Sequence, residues 1–326
     1  MRVGICYDAM EDYGFKTVNF DSCNRPTKKT IYTIAEIVES QRHDICLVGG
    51  IRGFLDSFEK YQCDLFFPIY GGSLGTGKQT WFPTTLELLN LPFIGTNAMG
   101  VLLACNKYHT KLIASANNIP TIPSVLFRED IELHSTPSIP FDFPCVVKPN
   151  FESHSRGVFL AHSMADLNKK VSKLLKEYHQ PILCEPFLSG SEITVSLYEQ
   201  DGVPKVFGMA EIVGMDGNTL EIYSYENKHL QKCPKIIPRI SSVTNDIIKL
   251  YAIKAFKEFG CHDYCRVDFR LDDQGNPYLL EVTPIPSLPL SASFFTAGRL
   301  YNNSPEVVIG NIISSAKKRF NLVRKG

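Results

Sequence analysis

The chain has little of several things, and each shortage excludes something. It has no excess of charge: 34 lysines and arginines balance 34 aspartates and glutamates over 326 residues. Without a basic surplus there is no electrostatic footprint for nucleic acid or an anionic membrane, so any anion must be recognised locally. No apolar run is long enough to span a bilayer, and the chain opens on the strand-like MRVGICY with no basic region leading into an apolar one. These absences argue for a cytoplasmic protein with no membrane partner. The ten cysteines include no CxxC pair, and the close pair Cys261 and Cys265 lacks a second half at zinc-like spacing. Scattered through apolar strands, they read as small buried hydrophobes of a reducing compartment. Repeats and low-complexity segments are missing too. What the chain does have is bulk: 44% of its residues are hydrophobic and 21% charged, enough for two or three cored domains.

Over the first hundred residues apolar strands alternate with helical stretches. RVGICY, DICLVGG and DLFFPIYGG read as strands, KTIYTIAEIVES (29–40) and Thr84 to Asn90 as helices, and LPFIGT as a short strand. That succession implies parallel strands with crossover helices, a Rossmann-like α/β layer whose ligands sit at the carboxyl ends of the strands. GGSLGTGKQT (71–80) nearly spells a P-loop, since Gly72, Gly77 and Lys78 keep the GxxxxGK spacing. Gln79 stands where a magnesium-binding Ser or Thr belongs, and Pro83 would interrupt the helix that must follow. The stretch is therefore expected to be a glycine-rich loop that contacts substrate.

Near residue 105 the character changes. Lys107 and Lys111 lie four apart on a helix that ends at Asn117 and Asn118, a spacing that ordinarily marks a solvated face. Lys148, inside the apolar run CVVKP, needs a partner, and a phosphate is a natural one; the loop Asn150 to Gly157 can cover that phosphate with backbone N–H groups. MADLNKKVSKLLKEYH is an amphipathic helix with solvent-facing lysines. PILCEPFLSGSEITVSLYEQDG gives two strands around a turn, with Glu185 ending the first and Glu192 opening the second. The two acids either fall there by coincidence or accept from an adenine amino group and ribose hydroxyls. KVFGMAEIVG continues an antiparallel sheet. DGNTLEIYSYENKHLQKCPKIIPRIS, with Tyr223, Tyr225, Lys228 and His229, is a long polar loop of the kind that forms lids. Helices are expected over 242–260 and 305–319.

The densest chemistry lies in YCRVDFRLDDQGNPYLLEVTPIPSLP (264–289), a hairpin around the turn Asp272 to Asn276. Alternation puts Arg266 and Asp268 on one face of the first strand and Glu281 and Thr283 on one face of the second. A register that opposes them gathers one cation, two carboxylates and a hydroxyl. A hard divalent cation takes such oxygens together with nucleotide phosphates, and an arginine beside them suits an oxyanion or a phosphate oxygen. The plain alternative is a solvated hairpin edge. Acids set among Val267, Phe269, Leu279, Leu280 and Val282 are seldom left unpaired, because burying a lone charge is expensive.

In this order the segments resemble the ATP-grasp superfamily and, within it, the D-alanine–D-alanine ligase family. LELLNLPFIGTNAMGVLLACNKYHTKLIASANNIPTIP is similar to the stretch that joins the family's first and central domains, which puts Lys107 in the place of the first ATP-phosphate lysine. FPCVVKPNFESHSRGV resembles the strand and loop over the phosphates, with Lys148 as the second lysine and Ser153 and Ser155 in the loop. ILCEPFLSGSEITV resembles the adenine hinge; the resemblance implies Glu185 at the adenine amino group, Pro186, Phe187 and Leu188 along the base, and Glu192 at the ribose. YSYENKHL is similar to the lid motif, with Lys228 over the phosphates. CRVDFRLDDQGNPYLLEVTPIP resembles the signature that supplies Arg266 for the oxyanion and Asp268 and Glu281 for magnesium, with Thr283 where the family usually has asparagine. The resemblance runs over nearly the whole chain. It implies an α/β protein, α+β in its C-terminal half: a Rossmann-like domain 1–105, a central ATP-grasp domain 106–190, and a C-terminal ATP-grasp domain 191–326 with metal site and lid, ATP lying between the last two.

The departures gather on the amino-acid side. RVGICYDAMEDYGF replaces the glycine-rich motif whose glutamate grips the first amino acid's amine, His154 and His229 align with the serine and tyrosine that work with it, and Ser287 replaces a glycine. The family's His-Gly and acidic pair become Tyr70-Gly71 and a longer loop with Lys78. The resemblance thus implies an ATP-dependent carboxylate–amine ligase using Mg²⁺ or Mn²⁺, joining amino acids through an acyl phosphate in dipeptide or specialised-metabolite synthesis. Lys107, Lys148 and Lys228 neutralise phosphate charge and Arg266 stabilises the oxyanion. If the lid brings His154 and His229 together over the amino-acid pocket, one serves as a catalytic base or recognises a substrate carboxylate; the plain alternative is that His229 is a solvated loop residue and His154 caps a turn. D-alanyl-D-alanine synthesis is the alternative, and an ATP-binding sensor or assembly protein without turnover is a third. A homodimer through the first domain is implied as well.

Overall fold

Three β-sheets, each built from one stretch of chain, organise the computed structural model, which describes residues 1–16, 25–70, 72, 76–130, 138–223 and 233–322. Strands β1 (Arg2–Cys6), β2 (Asp44–Gly49) and β3 (Leu65–Pro68) form a parallel sheet in the order β2-β1-β3. Helix α1 (Lys28–Ser40) is the first crossover; Thr27 caps it by accepting the Thr30 N–H, and Ile31, Ile34, Ile37 and Val38 give it one buried face. The parallel layer is the one expected from apolar strands separated by helices.

Two expectations in this region change. LPFIGT supplies a single bridge, Phe66 to Phe93, and no strand. After α2 (Ile51–Ser57), the helix expected at 84–90 is α3 (Trp81–Leu88), which starts ahead of Pro83. Proline is tolerated there because the first-turn N–H groups have no intrahelical partner to lose. Helices α4 (Ala98–Cys105) and α5 (Lys107–Ala116) then lead into the second sheet, with Asn106 capping α5.

That sheet is antiparallel: β4 (Val125–Phe127), β5 (Cys145–Pro149), β6 (Phe159–Ala161) and β7 (Ile182–Pro186) in the order β4-β7-β5-β6. Helix α6 (Met164–Tyr178) buries Leu167, Val171 and Leu174 in the same core. The third sheet, also antiparallel, has β8 (Glu192–Gln200), β9 (Val203–Ile212), β10 (Lys235–Ile236), β11 (Tyr264–Leu271) and β12 (Pro277–Thr283) in the order β10-β9-β8-β11-β12. Strand β10 falls inside the stretch read as loop. Helix α7 (Ser242–Glu258) packs Ile248, Ala252, Ala255 and Phe256 against this sheet.

The end of the chain ties the third sheet to the first. Helix α8 (Ser293–Leu300) lies so close over β9 that a Cβ on Gly208 would sit 2.4 Å from the Ala297 carbonyl carbon, so the crossing requires glycine. Helix α9 (Pro305–Arg319) returns to the first sheet, and Val308, Ile309, Ile312 and Ile313 share one core with Val3, Ile5, Ile34 and Val38. At the seam, Asp263 accepts from Arg319 Nη2 at 2.6 Å, Ser315 Oγ at 2.7 Å and the Gly95 N–H at 2.7 Å. A buried acid so fully met is a fixed joint. Among the described residues no helix is long and apolar enough to cross a membrane.

Candidate active site

The β11–β12 register decides what the hairpin can do. Arg266 pairs with Thr283 and Asp268 with Glu281, so the four side chains expected to converge do so across one strand pair. Directly after Asp268 the register shifts, and Leu280 becomes the extra residue of a bulge. The Arg266 guanidinium donates to Asp268 at 2.7–3.0 Å, to Glu281 Oε1 at 3.2 Å and to Thr283 Oγ1 at 3.4 Å. Burial and the like charge of Glu281 raise the Asp268 carboxyl, outweighing the guanidinium that lowers it.

The hairpin forms one wall of a cleft of about 1010 Å³, counted out to its open mouth. The other walls come from the second sheet: Lys148 on β5, the loop 152–158, and Glu185 to Leu188 at the end of β7. His154 and Ser155 take positive φ of 58° and 59°, conformations that L residues seldom adopt outside sites where the surroundings enforce them. Ser153, Ser155 and His154 line the cleft, and Ser153 Oγ lies 3.1 Å from His154 Nδ1. Pro186, Phe187, Leu188 and Glu192 line it at the hinge. Lys107, at the start of α5, donates to the Glu152 carbonyl and lies 3.9 Å from Glu281, which brings it to the hairpin.

Glu185 lines the cleft and has two lysine partners that the sequence did not show. Its carboxylate, 2% exposed, faces inward to Lys148 Nζ on one oxygen and Lys111 Nζ, at 2.8 Å, on the other. Burial would raise this carboxyl; the two ammonium groups outweigh it and hold it at about 2. Both oxygens thus orient lysines, and Pro186 to Leu188 line the cleft beside them. Lys111 is a correction: it is 4% exposed and paired with Glu185, where its spacing from Lys107 suggested a solvated face.

Two further residues were not anticipated. Arg270 continues the alternation of Arg266 and Asp268, so its side chain belongs to the same face, a signal present in RVDFR. It donates to the carbonyls of Leu188, Leu220 and Glu221 at 2.9, 2.7 and 2.9 Å, and Glu192 lies 3.7 Å away. Glu211 on β9, buried, takes Ser191 Oγ at 2.8 Å and Arg239 Nη2 at 2.8 Å, which fixes the turn between β7 and β8. Lys228, His229 and Tyr225 lie outside the described residues, so the lid expectation concerns a part of the chain not described.

In charge and donor type the cleft suits a nucleoside triphosphate with a divalent cation. Lys107, Lys148 and Arg266 line it, Lys111 pairs with the cleft-lining Glu185, and the oxygens of Asp268, Glu281 and Thr283 are the hard ligands such a cation takes. Among the described residues no cluster of three or more His, Cys, Asp or Glu forms an all-protein metal cage. A pair of acids that shares its cation with phosphate oxygens needs none.

Residues 113–305 match the family model described as the D-ala D-ala ligase C-terminus. A D-alanine–D-alanine ligase of Pelotomaculum thermopropionicum is 30% identical over 254 residues, covering 75% of this chain and 77% of that protein. That of Halalkalibacterium halodurans is 27% identical over 289 residues, 88% of this chain and 92% of the relative. An uncharacterized protein of Sinorhizobium fredii is 27% identical over 306 residues, 90% and 89% of the two chains. The crystal structure of a D-alanine–D-alanine ligase from Bacillus anthracis complexed with ATP superposes with a TM-score of 0.74 at 19% identity, over 99% of each chain, a likeness of fold. The chain belongs to the D-alanine–D-alanine ligase family and is an ATP-grasp ligase of the kind that forms peptide-type carbon–nitrogen bonds.

Proposed function

We propose that the protein activates the carboxylate of one amino acid as an acyl phosphate and transfers the acyl group to the amine of a second, releasing ADP and phosphate. One observation carries this reading: Arg266, Asp268, Glu281 and Thr283 are aligned across β11 and β12 at the wall of a lysine-lined cleft. A free carboxylate is a poor electrophile. Its oxygen attacks the γ-phosphorus with ADP leaving; the amine then attacks the acyl carbon, and the C–O bond to phosphate breaks.

Lys148 and Lys107 hold negative charge on the phosphate side, and Lys111 with Glu185 fixes the ammonium of Lys148 in place. Pro186 to Leu188 seat the base and Glu192 the ribose. Arg266 donates to the oxyanion that forms when the amine attacks. Asp268 and Glu281, with Thr283 adjoining, would hold Mg²⁺ or Mn²⁺, which when bound offsets charge on the β- and γ-phosphate oxygens. Lys228 and His229 are proposed for the lid, and His154, at the mouth of the phosphate loop, for the amino-acid side. Domain limits near residues 105 and 190, a cytoplasmic location and a homodimer through the first domain belong to the same reading.

The product proposed is a dipeptide other than D-alanyl-D-alanine, or a related specialised metabolite. RVGICYDAMEDYGF lacks the family's amine-gripping motif, and a buried ammonium without a partner is costly. D-Alanyl-D-alanine synthesis is the second reading, supported by the names of the relatives. Phosphate release from ATP and Mg²⁺ with a panel of L- and D-amino acids, singly and in pairs, separates the two. Turnover that peaks with D-alanine alone would replace the first reading by the second, and ATP binding with no release across the panel would sink both.

A further inference from the structure

The geometry points to a clasp between the first domain and the phosphate loop: the Lys78–Glu152 pair is a positioning device that sets the 152–157 loop and Lys107 for the nucleotide. The proposal rests on the nucleotide reading of the cleft. Lys78 belongs to the glycine-rich stretch that mimics a P-loop, yet its ammonium is buried, and it reaches across to Glu152 Oε1 at 3.1 Å and Oε2 at 3.3 Å. Gly72 packs closely on Lys78: at φ 114°, it would place a Cβ 2.1 Å from the Lys78 carbonyl oxygen.

Glu152 is the hub. Its Oε2 also accepts from Arg156 Nη1 at 3.1 Å, one turn further along the same loop, and its Oε1 from Gln180 Nε2 at 3.1 Å. Gln180 in turn accepts the Phe151 N–H at 2.7 Å, so backbone and side chain of the loop are held together. The Glu152 carbonyl receives the ammonium of Lys107. Three segments far apart in sequence, those of Lys78, Lys107 and Gln180, therefore meet on one residue of the loop that carries the strained His154 and Ser155. A lysine is seldom buried for packing alone, since the charge must be met. Here it is met by the residue whose main chain steers a phosphate-side lysine. Without Lys78, the carboxylate keeps Arg156 and Gln180 but loses its tie to the first domain, so loop order and nucleotide affinity should fall together.

The test uses the full chain and the variants Lys78→Met, Glu152→Gln and Lys78→Arg, with two readouts that do not depend on turnover. These are amide hydrogen exchange over 151–157 without nucleotide, and calorimetric binding of the non-hydrolysable analogue AMPPNP with Mg²⁺. Lys78→Met and Glu152→Gln should speed exchange of the loop amides about tenfold or more and weaken AMPPNP by a similar factor, with the β11–β12 amides unchanged. Lys78→Arg should restore both. Loop amides that exchange in Lys78→Met as in wild type would overturn the clasp, as would loss of protection spread evenly through the protein. Wild-type protein that fails to bind AMPPNP would overturn the nucleotide reading, and the exchange arm would still judge the clasp.

Discussion

Replacing Glu185 with glutamine removes one charge and leaves two buried lysines facing a neutral amide. In the native site Lys111 and Glu185 are 4% and 2% exposed along their side chains and lie 2.8 Å apart, with Lys148 on the other carboxylate oxygen. Breaking a buried pair by removing one partner costs about 3–5 kcal/mol, because the survivor stays buried without compensation. The carboxyl itself gives a second measure: lowering it from its ordinary 4.5 to about 2 corresponds to about 3 kcal/mol of preference for the charged form. Glu185→Gln should therefore lower unfolding free energy by about 3–5 kcal/mol at pH 7.5, a large share of the roughly 5–15 kcal/mol of a typical domain. The sign with pH follows from both partners. The Glu185 contribution is complete above pH 4.5 and is lost as pH falls through about 2, so the gap between wild type and variant should close across that interval. It should narrow again at alkaline pH as Lys111, whose pKa burial lowers, sheds its proton. Urea unfolding of both proteins across these ranges reads the effect. A loss under about 1 kcal/mol, or one that does not change with pH, would refute the argument that this pair is buried and charged.

Other perturbations separate structure from chemistry. Arg266→Ala should keep its circular dichroism spectrum and lose turnover about a hundredfold to a thousandfold, the usual loss for an oxyanion donor; a near-wild-type rate would remove Arg266 from the reaction. Arg270→Met deletes the strap on the Leu188, Leu220 and Glu221 carbonyls, and steady-state kinetics should show the KM for ATP raised about tenfold with kcat little changed. A fall in kcat alone would contradict a role confined to nucleotide seating. Gly208→Ala forces a methyl against the backbone of α8 and should destabilise by about 1–3 kcal/mol in the same urea assay, whereas an unshifted midpoint would mean the helix can move aside.

How far the sequence revealed this site depends on how local the controlling interaction is. The hairpin was legible because period-two alternation and a short polar turn specify both faces; the register that opposes Asp268 and Glu281, which alternation alone leaves open, is the one observed. The bulge at Leu280 left no mark in the pattern. Lys111 was misread because a lysine one turn from another looks alike on a wet or a dry helix face; what makes this face dry is Glu185, on a strand of the next sheet. The lysine partners of Glu185 were hidden for the complementary reason: an acid at a strand end shows that it needs a donor, not which donor. The return of α9 to the first sheet was equally hidden, since its apolar face fits any core of matching width. The domain-scale resemblance survived these local errors because it rested on the order of several segments and not on one residue.

The chemistry itself is tested most directly by the fate of the carboxylate oxygens. With the amino acids that support turnover, the acyl donor is supplied with both carboxylate oxygens as ¹⁸O, and the released phosphate is analysed by mass spectrometry. An acyl-phosphate route places one ¹⁸O in each phosphate formed, because the bond broken by the amine is the one from acyl carbon to that oxygen. Phosphate free of ¹⁸O while product accumulates would contradict it.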